Sequence, residues 1–186
     1  DPAPGVDAMA GAFLGPAFGD AEIARTLRRY GAASVRFGDL EALVDDVARR
    51  VAAGQVGGWF QGRMEFGPRA LGNRSIIADP RNPQMQKTLN LQIKKREGFR
   101  PFAPSVLEED AACYFDLERP SPYMLLVADV TAARRNELPQ DYKARPLLDR
   151  LYWQRSDIPA VTHVDYSARV QTVSRETNPR YWALIE

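Results

Sequence analysis

Between Gly62 and Ser75 the chain reads Gly-Arg-Met-Glu-Phe-Gly-Pro-Arg-Ala-Leu-Gly-Asn-Arg-Ser. Three glycines and a proline in 14 residues break both helix and ladder, so this stretch must be a loop between regular elements. It carries Arg63, Arg69 and Arg74 with one carboxylate, Glu65. A guanidinium is a rigid fork that binds phosphate or carboxylate through paired donors. Glycines let the backbone approach a ligand closely. Two readings stand on the residues alone. One is an anion pocket for a phosphorylated small molecule. The other is a solvated basic loop pinned by Glu65, since arginine clusters also build structural ion-pair networks.

The flanking pattern supports a pocket rim. Val56 to Phe60 reads as a short buried strand and Ser75 to Ala78 as its return, so the loop joins two strands. No G-x-x-x-x-G-K-[ST] pattern occurs, which excludes a P-loop. Upstream, residues 1–19 read as a lead-in or linker, followed by one domain over 20–186. Asp20 is placed to cap a helix that Gly31 ends, and Ala33 to Phe37 reads as a short strand. Asp39 caps a helix whose Leu40, Leu43, Val44, Val47 and Val51 share a face, with Gly54 just past its end. Asn82-Pro83 opens a helix to about Lys94, with Met85 and Leu89 inward. A short helix is expected from Glu108 to Tyr114. Tyr123 to Val130 reads as a strand buried on both faces. Residues 131–158 read as a polar excursion, 160–165 and 168–173 as strands, and Asn178-Pro179 as the start of a last helix. Alternating strands and helices give an α/β (α+β) fold with a mixed sheet.

Composition narrows the function classes. The chain has 186 residues, 45% hydrophobic and 26% charged, as in an ordinary globular domain. No apolar run of membrane-spanning length and no signal peptide are seen in it. Its one cysteine, Cys113, allows no internal disulfide or cysteine metal cluster, and a cytoplasmic setting is the expectation. Net charge is +1, but Arg63 to Arg100 holds nine Lys or Arg against three acids. That focus of positive charge favours an anionic partner.

Gly62 to Ser75, together with Lys95-Arg-Glu97, Arg100-Pro-Phe-Ala-Pro-Ser105, Thr162-His-Val-Asp165 and Ala168-Arg-Val-Gln-Thr172, resembles the signature of the nodulation-type O-carbamoyltransferases. Members of that family also act on antibiotics such as cephamycins and aminoglycosides. The resemblance runs from about Gly11 to the end and covers only the family's C-terminal domain. It implies a YrdC-like twisted mixed sheet with flanking helices, truncated at the C-terminus, because a later strand and loop of the nucleotide site is missing. It further implies binding of carbamoyl phosphate and Mg-bound ATP to form carbamoyl-adenylate. A missing N-terminal domain, which carries the family's iron or other metal, would pass the carbamoyl group to a substrate hydroxyl. The fragment alone is expected to be inactive and to hold no metal of its own. Arg63, Glu65, Arg69, Asn73, Arg74 and Ser75 match the first motif. Lys94 and Arg96 match a YrdC-like Lys-x-Arg, and Arg100, His163 and Arg169 match the later motifs.

On this reading Arg69, Lys94 and Arg100 clamp phosphates, and Glu65 orients an arginine rather than holding Mg²⁺. His163, the only histidine, lies with Asp165 on one face of an expected strand, either as a ligand-contacting pair or as a hydrogen-bonded structural pair. Cys113 is read as core packing. Trp59, Phe60 and Phe66 are read as core filling rather than base stacking. Membrane partners are not expected. Nucleic acid is not expected either, although an RNA-binding YrdC-like module and a non-catalytic docking domain remain rival classes.

Overall fold

A computed structural model describes residues 7–186. Helix α1 spans Asp20–Tyr30 and α2 spans Leu40–Ala52. Asp20 is the first helical residue, not the cap: Gly19 precedes the helix and gives no side-chain cap. Gly31 ends α1 at φ 59°, donating to Arg28 and Leu27 carbonyls, a conformation that favours glycine. Asp39 caps α2 by accepting from Ala42 N–H at 2.8 Å. No strand forms over 33–37; no neighbouring edge is there to pair with it, and Val35 stays exposed.

Strand β1 (Gly57–Phe60) pairs antiparallel with β2 (Arg74–Ile77), Trp59 opposite Ser75 and Phe60 opposite Arg74. The signature stretch is therefore a long hairpin connection. Helix α3 is only Met85–Thr88 and runs into a π-helical turn, Leu89–Ile93. Asn82 and Pro83 form a turn ahead of it, Met85 N–H donating to the Asn82 carbonyl at 3.0 Å. Met85 and Leu89 face inward as their spacing predicts. The widened turn accompanies a buried amide: Asn90 donates to the Gly98 and Arg100 carbonyls and accepts from Arg96 Nε at 2.6 Å.

Strand β3 is Ser105–Leu107, α4 is Ala111–Tyr114 and β4 is Val127–Asp129. Helix α5 is Leu147–Leu151, β5 is Ser167–Arg169, β6 is Gln171–Val173 and α6 is Pro179–Ile185. Residues 167–173 form one run that changes partner at Val170. Its first half pairs antiparallel with β4 and its second half parallel with β3. Ala168 and Val170 on this run are fully buried, and with Phe115 and Val130 they centre one core. A second core joins α2, β1, β6 and α6 through Val44, Trp59, Val173, Tyr181 and Leu184. The α/β class is thus observed, its strands pairing as three two-stranded ribbons, two antiparallel and one parallel.

Two expected strands are shorter or absent. Of Tyr123 to Val130 only three residues are strand; among the described residues β5 pairs one edge, the other meets only Phe115 and Asp116 at Asp129 and Val130, and Val127 is 62% exposed. Residues 160–165 are turns instead, because Thr162 Oγ1 and Val161 N–H both bond the Ile158 carbonyl and coil the segment back. Cys113 is exposed, not core; α4 is a single turn and presents Ala111 inward.

The polar excursion is knotted by Arg155, which is 2% exposed. Its guanidinium donates to the Leu151, Trp153 and Arg150 carbonyls at the C-terminal end of α5 and to Tyr142 Oη. Cations are favoured at that end of a helix. Replacing Arg155 with Met should loosen this segment alone. The expected outcome is faster amide exchange over Tyr142 to Trp153 with protection of β1 and β2 retained, read by hydrogen–deuterium exchange.

Candidate functional site

Glu65 organises the loop. It is 4% exposed, and its Oε1 accepts from Leu71 N–H at 2.6 Å and Asn73 N–H at 2.8 Å. Its Oε2 accepts from Arg74 Nε at 3.1 Å. Arg74 also donates to the Gly67 carbonyl at 2.6 Å, which closes the loop on itself. Glu65 thus takes the orienting role, and no oxygen of it is set toward a cation site. Arg63 is spent in the other direction. It donates to the Gly15 and Leu14 carbonyls, while Gly15 N–H bonds Met64, Met64 N–H bonds Pro16 and Phe66 N–H bonds Ala12. Residues 12–16 are therefore laced along the loop. Asp7 extends the lacing to Tyr123 Oη, and that phenol is pushed up to about 12, by burial first and by Asp7 second.

An amide network ties the loop to α6. Asn73 Nδ2 donates to the Arg63 carbonyl at 2.7 Å, and its Oδ1 accepts from Gln61 and Asn178. Asn178 also caps α6 through Tyr181 N–H. Ser75 Oγ accepts from Gly72 N–H at 2.9 Å. Gly72 sits at φ +109°, where a Cβ would lie 2.3 Å from the Tyr181 ring, so only glycine fits. Asn73 and Ser75 are thus framework groups. Gln61, Gln171 and Asn178, which the sequence reading passed over, belong to the same framework; their signal is polar amides inside otherwise apolar strands and at a helix start.

Arg69 is the loop arginine left over. Among the described residues it has no carboxylate or carbonyl partner, and it is close enough to Arg169 to disfavour the charge there. Gln171 Nε2 donates to the Leu71 carbonyl at 2.8 Å and holds loop and strand together two residues beyond each arginine. Arg169 is held below the ordinary guanidinium range, by burial first and by Arg69 second. Its Nε is buried with no hydrogen-bond partner among the described residues. Among the described residues these two cations have no counter-ion, an arrangement that favours a negative group near them. His163 adjoins Arg169: its Nδ1 lies 3.1 Å from Ser167 Oγ, and Ser167 Oγ donates to Asp165 Oδ1 at 2.7 Å. His163 and Asp165 are therefore joined through Ser167 across a turn. Burial holds His163 below its ordinary value; Asp165 raises it and Arg169 lowers it.

The second cluster is more local. Arg96 bonds Asn90 and lies 5.1 Å from the Phe102 ring centroid, and Arg100 pairs with Glu97 at 2.9 Å. Lys94 is exposed at the end of the π turn. Among the described residues no hydrogen bond or ion pair joins Lys94, Arg96 or Arg100 to the arginines of the loop. A groove of about 500 Å³ between α1, α2 and β1 is lined by Phe18, Ile23, Leu27, Trp59 and Phe60, and by none of the candidate residues. Trp59 is core, but Phe60 and Phe66 are exposed, the first against Phe18. Among the described residues no group of three His, Cys, Asp or Glu is placed to hold a metal, and no helix is long and apolar enough to cross a membrane.

Two measurements check this geometry. Glu65→Ala leaves two buried N–H groups without an acceptor and Arg74 without its carboxylate, and should cost about 3–5 kcal/mol, with Glu65→Gln costing less, in urea denaturation. The His163 imidazole should titrate below 6.5 by NMR. The unfolded chain then binds that proton more readily. So the stability His163 contributes is complete above pH 6.5 and falls as pH drops through the folded value, relative to His163→Gln.

A family model described as "Carbamoyltransferase C-terminus" matches residues 48–186. The uncharacterized protein sll1178 of Synechocystis sp. is 55% identical over 181 residues, 96% of this chain and 29% of that protein. The nodulation protein NolO of Bradyrhizobium diazoefficiens is 48% identical over 148 residues, 76% of this chain and 23% of that protein. A 3'-hydroxymethylcephem-O-carbamoyltransferase of Amycolatopsis lactamdurans is 38% identical over 141 residues, again 76% and 23%. The chain thus spans less than a third of the length of these relatives. With its match running from the end of α2 through α6, the chain belongs to the carbamoyltransferase C-terminal family.

Proposed function

We propose that this domain is the donor-activating part of an O-carbamoyltransferase, binding carbamoyl phosphate and Mg-bound ATP to form carbamoyl-adenylate. The observation that carries the reading is the pair of Arg69 and Arg169, brought together by the Gln171–Leu71 bond, without a counter-ion among the described residues and with the Arg169 Nε buried and unpartnered. Adenylation asks little covalent chemistry of a protein: charge neutralised on phosphates and two reactants held in line. The pair supplies the first. Lys94 and Arg100 extend the clamp, Arg100 by exchanging Glu97 for a phosphate at an exposed site. The acceptor hydroxyl and the family's metal are assigned to a further domain.

The disposition of charge favours a pocket over an RNA surface. Arg63, Arg74, Arg81, Arg96 and Arg100 are engaged in local bonds, which leaves few free cations along a stripe. Calorimetric titration with carbamoyl phosphate and with ATP–Mg²⁺, at low and moderate salt, tests the reading. Binding that tolerates salt and falls about 10- to 100-fold in Arg69→Ala and in Arg169→Ala is expected, from the worth of charged hydrogen bonds. Binding unchanged in both variants would overturn it.

A further inference from the structure

The turn before β5 settles which nitrogen of His163 carries the proton. His163 N–H donates to the Ser167 carbonyl at 2.9 Å, and its Nδ1 lies 3.1 Å from Ser167 Oγ. Ser167 has one hydroxyl proton, and it goes to Asp165 Oδ1 at 2.7 Å, which also accepts Ser167 N–H at 3.1 Å. Those bonds hold Asp165 below the ordinary carboxylate range, so at neutral pH it has no proton to return. Ser167 Oγ is left only as an acceptor toward the ring, and Nδ1 must be the N–H. The ring is neutral above its lowered titration point, so Nε2 carries a bare lone pair. Nδ1 is the ring nitrogen bonded among the described residues; Nε2 has no partner there.

Ser167 and Arg169 are two apart on β5 and so share a face. That puts the ring, held by Ser167, at the strand face that carries Arg169, and adds one hydrogen-bond acceptor to it. A ligand that satisfies both is an anion that also carries a hydrogen-bond donor. Between two acyl phosphates of the same shape, a methyl group offers no donor at the acyl end and a carbamoyl group offers an amide. We infer that His163 Nε2 accepts a hydrogen bond from the amide of the carbamoyl group and so selects carbamoyl phosphate over an acyl phosphate of the same shape. This rests on the carbamoyl phosphate site proposed above. Asp165 and Ser167 are positioning residues that hold the tautomer. A site built to bond an N–H discriminates against the analogue lacking it, because its acceptor is left unpartnered.

Calorimetric titration of the chain with carbamoyl phosphate and with acetyl phosphate, which replaces the amide by methyl, tests it. The wild-type chain is expected to prefer carbamoyl phosphate about tenfold. His163→Phe keeps a ring and loses the acceptor, and should bind the two equally. Ser167→Ala frees the ring and should lower the preference part of the way. ¹⁵N NMR of the unliganded chain should show a pyridine-type Nε2 and a pyrrole-type Nδ1. Equal binding by the wild type, a preference that survives in both variants, or a protonated Nε2 would overturn the role of His163 and leave the phosphate reading intact. Absence of binding by either phosphate, with the NMR spectrum of a folded chain, would overturn that reading and this inference together.

Discussion

The site hangs on one buried carboxylate. Glu65 is nearly sealed from water, and a charge there is tolerated only when its oxygens are filled by donors. Leu71 N–H, Asn73 N–H and Arg74 Nε fill them. These three donors lie six to nine residues downstream, so satisfying one carboxylate folds the whole loop back on itself. The same act sorts the arginines. Arg74 is consumed by Glu65 and Gly67, and Arg63 by the carbonyls of Leu14 and Gly15. The arginine these bonds leave without a partner among the described residues is Arg69, which is half-buried.

The partner-switching run 167–173 supplies the other half. A strand that pairs with β4 and then with β3 is anchored at both ends, and its Ala168 and Val170 fill the core without voids. Its polar residues are thereby positioned with core precision. Gln171 joins the two halves, accepting from Ser105 Oγ at 3.0 Å and donating to the Leu71 carbonyl, while Tyr181 Oη donates to Ser105 Oγ. Tyr181 is also the ring that excludes any side chain at Gly72. Loop, strand and last helix thus meet in one connected polar network, in which each member is satisfied.

Much of the frame was legible from sequence because it rests on local chemistry. Asp39, Gly31, Gly54 and Asn178 mark helix ends by bonds within a few residues, and the strand–loop–strand around Gly62 to Ser75 follows from its glycines. What escaped depends on long-range pairing. Tyr123 to Val130 is apolar enough for a buried strand, but on one side it is met only at its last two residues, by Phe115 and Asp116, so Leu125 and Val127 stay exposed. Residues 160–165 have strand composition but are coiled by Thr162 and Ile158. Asp20 has the chemistry of a cap but lies one residue inside the helix. Arg63, Arg69 and Arg74 are indistinguishable as letters; only the contacts across 48 or more residues to Leu14 and Gly15 separate a tether from a free fork. The linkage of His163 to Asp165 was legible as a pair, but the intervening Ser167 that sets the tautomer was not.

An arginine pair of this kind works against the fold that carries it. Arg169 sits below its ordinary range because burial and Arg69 both disfavour its charge, and its Nε gives up a hydrogen bond to water without gaining one from the protein. Nothing in the packing requires that arrangement: Arg169 lies opposite Val127, at a position where an apolar side chain would fit the ladder. The loop around it shows that the sequence can neutralise arginines when structure calls for it, as Glu65 does for Arg74, Asp79 for Arg81 and Glu97 for Arg100. A carboxylate beside Arg69 and Arg169 would relieve the repulsion and at the same time occupy the place of an incoming anion. On the proposed reading, leaving that place open keeps the field of two guanidiniums intact for the phosphate ligand, and the structural cost is absorbed by the network of Glu65, Gln171 and Tyr181.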